Sequence, residues 1–477
     1  MSSILSLETE VILKDMVVEE SMTKNTSIDQ GKNLEQYKHA KYPIRMKLYE
    51  TAQNKYKVLF YEKGYVCNDD VTSPNYRSIV LDAESNEIYS VAIPKAVKIG
   101  KFLENDAEGC LDEMRERSSI EDASVGMRDI VCEANKITSL GTQIDYSRTL
   151  VNEIVEGTMI NLWFDKRAQS WEISTRHAVS GKYTFYRKVL DDSSEVLHPE
   201  KESGFIGNKN FRDMFLEGLN AGDASADLTE IVNRMPFFKQ DRMYSFVMQH
   251  PENHLVFKID YARLYLTHIM EVNGPADQSI EISYMTERPE DLPEHIFIPT
   301  KHDGFQSYKE IMDKMESVNM QNNMVGIMIT DLKTGLRTKF VAETYKQQKE
   351  IRGNNPNMLF QYLCLYKIRK ITEFLNYFPW YRDMFNRFRK QYITTMMNVH
   401  KSYVARYIKH TGETIQKHLM PHVWRLHHNV FLPSMTTGQK KIVTLQVVQE
   451  YFKTLNPMEI FYMMSQRGDT KPHKDQV

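Results

Sequence analysis

Short apolar runs recur in pairs between residues 41 and 345, and each pair is joined by a polar turn. The sequences ESNE at 84–87, KRAQS at 166–170 and Lys333–Gly335 each separate two runs rich in β-branched and aromatic residues. This arrangement predicts hairpins rather than regular strand–helix–strand units. We therefore expect an α+β fold with an antiparallel core, in which 211–220 and 304–318 are helical.

The chain changes character after residue 345. Residues 346–477 contain 21 basic and 8 acidic side chains, a formal charge of +13, whereas the whole chain carries −2. Apolar residues there follow helical spacing, which predicts four to six helices. The predicted organisation is an N-terminal arm and linker over 1–40, a β-rich domain over 41–345, and a basic helical domain over 346–477 with a disordered tail. The basic part either binds a polyanion or neutralises the acidic part by packing against it.

Composition excludes several classes of protein. Hydrophobic residues make up 41% of the chain and charged residues 26%, which is typical of globular proteins. Four scattered cysteines argue against a disulfide framework and against a thiolate zinc site. The first residues lack the pattern of a signal peptide, and no apolar run is long enough to cross a membrane. We expect an intracellular protein, made in a reducing compartment and without membrane insertion.

The segments NYRSIVLD, IPKAVKIGKF, IVEGT, WEISTR, SFVMQHPEN, VGIMI and TKFVAETY follow one another between residues 75 and 345. In this order they resemble the motifs of the covalent nucleotidyltransferases, and most of all those of phage-type RNA ligases and their relatives in large DNA viruses. The resemblance implies an RNA ligase-like nucleotidyltransferase domain followed by a helical appendage. It also implies a viral protein, acting in the cytoplasm of the host cell or in the virion.

The family's chemistry needs a lysine that attacks the α-phosphate of ATP, and carboxylates that bind divalent metal. Ile154 stands at the position of that lysine, and its side chain has no lone pair. The third motif lacks its carboxylate, the fourth reads Val325-Gly326-Ile327, and the fifth keeps Lys339 but has Val341 two residues later. The resemblance therefore predicts a degenerate site with no catalytic residue, no metal and no cofactor.

Several residues at family positions still suit a nucleotide or another anion. They are Arg77, Lys95, Lys98, Glu156, Gly157, Thr158, Arg176 and Lys339. In the basic domain, candidates for nucleic-acid contact are Arg387, Arg389 and Lys390, which lie close to the aromatic run at 377–381. That run fits a helical core better than a stacking surface. The histidines at 418, 422, 427 and 428 likewise fit a helical surface better than a metal site.

The predicted function is that of a catalytically inactive RNA ligase-like protein that binds RNA or another polyanion, or that belongs to a viral assembly with other proteins. The alternative is an active ATP-dependent RNA ligase that uses a displaced lysine such as Lys98 or Lys182, together with ATP and Mg²⁺.

Overall fold

The computed structural model describes residues 2–18, 36–62, 72–103, 143–183, 209–220, 227–253, 255–273, 279–317, 324–355, 357–436 and 442–465. They belong to two compact units, Met1–Thr184 with Lys209–Lys349, and Phe185–Asn208 with Glu350–Val477. The division after Lys349 lies four residues beyond the predicted one. Most of the predicted linker and the predicted disordered tail lie outside the described residues.

The first unit contains sixteen strands and five α-helices whose two ends both lie among the described residues, and residues 99–103 are helical as well. The strands are β1 Ser2–Ser6, β2 Met16–Val18, β3 Gln36–His39, β4 Ile44–Glu50, β5 Lys55–Tyr61, β6 Ile79–Asp82, β7 Ile88–Val91, β8 Thr149–Glu153, β9 Thr158–Asp165, β10 Ser170–Ser174, β11 Arg242–Gln249, β12 Arg263–Val272, β13 Ser279–Tyr284, β14 Ile296–Phe297, β15 Gly326–Asp331 and β16 Arg337–Val341. The helices are α1 Thr9–Lys14, α2 Phe211–Asn220, α3 Leu228–Asn233, α4 Tyr308–Glu316 and α5 Glu343–Arg352, the last of which begins in the first unit.

The described strands form three sheets. One has the order β1-β13-β12-β11-β9-β10, with β14 beside β12; the second is β16-β15-β8, and the third is β2-β3-β4-β5-β6-β7. Every described pairing is antiparallel except that of β12 with β14. The prediction of a mixed α and β chain with antiparallel sheets and C-terminal helices is confirmed.

Three hairpins have the same hydrogen bonding in their turns, which explains why the turns can be recognised in the sequence. Asp82, Asp165 and Asp331 each end a strand, and one carboxylate oxygen of each accepts hydrogen bonds from the backbone N–H groups two and three residues later. This is the local bonding that makes Asp a turn residue. The residue four positions after each Asp has a positive φ, of 60°, 52° and 72° respectively: these are Asn86, Gln169 and Gly335.

The large sheet is covered on both faces, and the alternation along β9 shows how. Ile160, Leu162 and Phe164 point into a core that α2 and α3 complete. Trp163 points to the opposite face, where it stacks on Tyr89 of the third sheet with ring centroids 5.1 Å apart. With both faces buried, the large sheet is the central layer of the first unit.

The N-terminal residues take part in these sheets. β1 pairs with β13 in the register Ser2↔Ser283 to Ser6↔Ser279, and β2 pairs with β3. The sequence predicted an arm over 1–40, because its strands are short and its polar residues show no period. β1 is held in place by β13, which lies about 280 residues later in the chain, and the sequence around β1 gives no sign of this pairing.

The second unit is helical in its described residues. Its helices are α6 Met358–Lys367, α7 Ile371–Tyr377, α8 Arg382–Tyr403, α9 Met420–Arg425, α10 Leu432–Thr436, α11 Leu445–Thr454 and α12 Pro457–Ser465. The π-helical segments Val404–Ile408 and Leu426–Phe431 continue α8 and link α9 to α10. None of the described helices is long and apolar enough to span a membrane.

Candidate functional site

A cavity of about 250 Å³ in the first unit is lined by strands of the large sheet and of the second sheet, and by Arg77 and Ile93, which flank strands β6 and β7 of the third sheet; we call it the three-sheet cavity. The loop between β8 and β9, the middle of β11 and β12, and strands β15 and β16 contribute to its lining. Ile154, Val155, Gly157 and Val247 all line it. The structure thus brings together residues of the segments IVEGT, SFVMQHPEN and VGIMI, the last of them through Met328.

Gly157 is required for this meeting of strands. A Cβ atom there would lie 2.4 Å from the backbone oxygen of Met248 and 2.7 Å from Cγ1 of Val247. Only glycine lets the β8–β9 connection pass so close to β11. The N–H of Ile154 donates to the Gly326 carbonyl at 2.9 Å, which ties the same connection to β15. Ile154 therefore lies at the cavity wall.

Two guanidinium groups give the cavity its charge. Arg77 and Arg337 both line it, and Arg337 donates one hydrogen bond, to the Pro94 carbonyl at 2.6 Å. Burial lowers the pKa of Arg77, and burial together with the charge of Arg77 lowers the pKa of Arg337 to about 10. Both remain protonated at neutral pH. Among the described residues neither forms an ion pair with an acid, so the cavity has an excess of positive charge.

Neutral polar groups complete the lining. His268 is 3% exposed, and its Nε2 has no hydrogen-bond partner among the described residues, while Nδ1 lies 2.9 Å from Oγ1 of Thr267. Burial, reinforced by the charges of Arg337 and Arg77, holds the pKa of His268 well below its usual range. The imidazole is therefore neutral. Ser245 and Tyr284 supply hydroxyl groups to the same lining.

One carboxylate, that of Glu153, belongs to the lining. Its Oε1 accepts hydrogen bonds from the N–H of Thr300 at 2.9 Å and from the Thr300 hydroxyl at 2.7 Å. No lysine is among the residues that line the cavity. Within the described parts of the chain, no three His, Cys, Asp or Glu side chains are grouped so as to hold a metal ion.

A second group of cations lies beside the cavity, around Tyr61. Arg176 donates to the Tyr61 carbonyl at 2.7 Å, and its guanidinium carbon lies 4.3 Å from the centroid of the Tyr61 ring. Lys95 approaches the same ring at 5.9 Å. The charge of Arg176 also lowers the pKa of Arg77, so the two clusters share one electrostatic environment. Arg77, Arg176 and Lys95, three of the residues that the sequence singled out, thus lie in one region around Tyr61.

The remaining predicted residues lie outside the cavity lining. Glu156 is buried and accepts three backbone N–H bonds, from Leu255, Val256 and Phe257. Burial nevertheless raises the pKa of Glu156. Its carboxylate anchors a loop rather than facing a ligand. Thr158 accepts a hydrogen bond from Asn253 at 2.8 Å. Exposed side chains that do not line the cavity are those of Lys98, Lys182 and Lys339.

In the second unit, Arg389 and Lys390 are exposed on α8, whereas Arg387 is partly buried. Phe378 and Tyr381 are buried, as expected of core aromatics. Aromatic packing also engages the histidines: His427 stacks on Tyr407 with centroids 3.8 Å apart. Cys364 is a free thiol, and the other three cysteines lie outside the described residues.

Sequence reasoning missed Arg337 and His268. Arg337 lies two residues before the predicted Lys339, on the same face of β16, because side chains alternate along a strand. The signal for His268 was the polar pair Thr267-His268 in an otherwise apolar strand. Neither signal identifies a shared cavity, since β12 and β16 belong to different sheets.

No known protein family matches this chain by sequence, and no curated protein does. Solved structures of RNA ligases are similar to it at low scores. An archaeal ATP-dependent RNA ligase is 11% identical, with an alignment that covers 70% of this chain and 69% of that one and a TM-score of 0.30. The apo form of a Naegleria gruberi RNA ligase mutant is 10% identical, covers 73% and 98%, and has a TM-score of 0.25. At these scores neither likeness bears on the activity of this chain.

Proposed function

We propose that the chain is a catalytically inactive, nucleotidyltransferase-like protein that binds RNA through phosphate contacts. The observation that carries this proposal is the three-sheet cavity, in which Arg77 and Arg337 share one space without a paired acid. Two protonated guanidiniums held together in a partly buried site repel each other, and an anion between them removes that cost. Phosphate suits them because a guanidinium binds phosphate oxygens with two parallel hydrogen bonds.

The size of the cavity limits what enters it. About 250 Å³ is slightly below the 300–1,000 Å³ that is typical of pockets for drug-sized ligands. One phosphoryl group with part of its sugar fits this space better than a whole nucleoside triphosphate. The Ser245 and Thr267 hydroxyls already donate to Asn161 Oδ1 and to the Ser245 carbonyl, which leaves the guanidiniums of Arg77 and Arg337 to donate to such a group.

The lining supports binding more than nucleotidyl transfer. Formation of a lysyl-nucleotide needs an amine in line with the α-phosphate, and the wall at the family's nucleophile position is the aliphatic Ile154. The alternative nucleophiles Lys98 and Lys182 are exposed and do not line the cavity. We therefore propose that this site recognises phosphate without reacting with it.

The experiment compares chemistry with binding in the same preparation. Full-length protein is incubated with ATP labelled at the α-phosphate and Mg²⁺, alongside an RNA ligase known to form the adduct. We expect no acid-stable label on this chain. A labelled lysine anywhere in the first unit would overturn the proposed inactivity.

Binding is measured by fluorescence anisotropy with a labelled oligoadenylate over a range of salt concentrations. The log–log slope is expected to become shallower by about 0.7 for each phosphate contact removed in Arg77→Met or Arg337→Met. Arg234→Met is the matched control, because Arg234 is exposed and, among the described residues, its ion-pair partner is Glu230 one turn away. Equal slopes for the wild type and both cavity variants would contradict a phosphate site in this cavity.

A further inference from the structure

We propose that the helical unit holds one nucleotide in a second pocket, with the base stacked on Tyr366 and the phosphate at a rim of basic side chains. This inference rests on the proposed RNA binding and assigns part of it to a named site. The pocket has a volume of about 470 Å³ and lies between α6, α8, α11 and α12. That volume falls within the range of pockets that enclose small organic ligands.

The floor of the pocket is aromatic. Tyr366, Tyr392 and Phe452 line it; the Tyr366 and Tyr392 ring centroids are 5.1 Å apart, and Tyr392 meets Phe452 edge to face at 5.6 Å. Tyr366 is 41% exposed even though its ring stacks on that of Tyr362. A tyrosine that is held by neighbouring rings and keeps 41% of its surface exposed can stack on a nucleobase, since every base has a π-face.

The rim is cationic. Lys367, Arg369 and Lys453 line the pocket, and no carboxylate is among its lining residues. Lys453 is partly neutralised by Glu450 at 2.6 Å, and Lys367 donates to the Leu455 carbonyl at 3.0 Å. Arg369 forms no ion pair within the described part of the chain, so its charge remains available to an anion.

One further exposed cation, Arg389, lies on α8 near this rim. Arg389 lies one helical turn before Tyr392, on the same side of the helix. It is close enough to Tyr362 for its charge to affect the pKa of that hydroxyl. Arg389 was among the residues that the sequence singled out for nucleic-acid contact; like the other two, it does not line the pocket itself.

The backbone of Arg369 gives an independent reason to look at this position. Its φ is +58°, in the left-handed region that glycine favours just after a helix. α6 ends with Ile368 as its C-cap, and the N–H of Lys370 donates to the Leu365 carbonyl at 2.9 Å, which closes the turn. An arginine here is strained where glycine would not be. Strain of this kind is retained where the surrounding structure holds it, as in the hairpin turns at Asn86 and Gln169, and here the strained residue also lines the pocket.

Together these features select a nucleotide as the occupant. An apolar ligand or a hydrophobic peptide would use the rings but leave the cations without partners. An anion alone would contact the basic side chains of the rim but not the exposed surface of the Tyr366 ring. A base joined to a phosphate uses both, whether it is a free nucleotide or one residue of a single strand.

The test uses full-length protein and a short labelled oligoadenylate in the anisotropy assay. Tyr366→Ala is expected to weaken binding by about 5- to 150-fold, the range for loss of one stacked base. Tyr462→Ala is its control, because Tyr462 is 54% exposed on α12 and does not line the pocket. Arg369→Gly should also weaken binding while leaving the melting temperature equal to or above that of the wild type. Lys401→Gln, an exposed cation of α8 outside the pocket, controls for net charge.

Competitors separate the two sources of the ligand. Displacement by AMP but not by adenosine assigns the pocket to a nucleotide with its own phosphate. Displacement only by unlabelled oligoadenylate assigns it to a nucleotide within a strand. If both pocket variants bind as the wild type does, this inference is wrong while the proposed function stands; if the wild-type chain binds no RNA, both are wrong.

Discussion

Replacing Arg77 with methionine should make the ligand-free protein more stable and the RNA-bound protein less so. Arg77 is partly buried in the three-sheet cavity, and it lies near both Arg176 and Arg337. No acid in the described residues offsets its charge. Methionine has a similar length and no charge, so it fills the space without the repulsion.

The magnitude follows from how buried charges behave. Replacing a buried ion pair or triad by apolar side chains of similar volume is neutral or stabilising by about 1–4 kcal/mol, and a buried charge without an ion-pair partner lacks even the attraction that such a pair supplies. Because Arg77 keeps some exposure to solvent, we expect about 1–2 kcal/mol. Ligand acts in the other direction, since binding at a hundredfold excess over Kd stabilises the folded state by about 2.7 kcal/mol. Without RNA the variant should therefore have the larger free energy of unfolding, and with RNA in excess the wild type should have it.

The assay is urea unfolding of full-length protein, followed by tryptophan fluorescence with and without oligoadenylate. Trp163 and Trp171 are almost completely buried, so they report on the first unit. Arg234→Met, on the surface, should leave both midpoints within about 0.5 kcal/mol of the wild type. A ligand-free Arg77→Met protein that is less stable than wild type and still gains as much from RNA would refute the reasoning.

Three further changes test the framework of the site. Gly157→Ala should cost about 3 kcal/mol or prevent folding, because its Cβ would meet backbone atoms of β11, whereas Gly304→Ala, with nothing within 4 Å, should be neutral in thermal unfolding. Asp331→Asn should cost about 1.5–3 kcal/mol at neutral pH, since Arg148 donates two hydrogen bonds to this carboxylate. Although burial opposes it, hydrogen bonding by Arg148 and the turn holds the pKa of Asp331 below its ordinary value, so this stability is lost as pH falls through that lowered pKa and the difference from the variant should vanish in acid. Glu156→Ala should cost about 1–3 kcal/mol by leaving three backbone N–H groups without an acceptor. Glu156→Gln should cost less, because the raised pKa of Glu156 means that its charge is not favoured there. A smaller loss for alanine than for glutamine would contradict that account.

Local chemistry was readable from the sequence, and long-range assembly was not. The turns at Asp82, Asp165 and Asp331 can be recognised as hairpin turns in the sequence, because each aspartate accepts hydrogen bonds from backbone N–H groups of its own turn. Arg77 could be named in advance, but Arg337 becomes its neighbour only through the junction of separate sheets. For the same reason the sequence predicted that Glu156 contacts a ligand. Its carboxylate instead accepts hydrogen bonds from backbone N–H groups about 100 positions later in the chain. An origin in a large DNA virus, and a place in a virion, stay predictions from the resemblance.

The pairing of β1 with β13 has a consequence for the order in which this protein forms. Ser3 and Tyr284 are 281 residues apart in sequence, and their hydroxyl oxygens lie 3.2 Å apart. At synthesis rates of about 5–20 residues per second, the first strand waits roughly 15–55 s for its partner to be made. Loop closure over that distance also slows the pairing itself. Tyr284 lines the three-sheet cavity, and its hydroxyl lies beside that of Ser3, so docking of β1 completes the surroundings of this part of the lining. The time at which RNA binding appears during refolding should therefore follow the docking of residues 2–6.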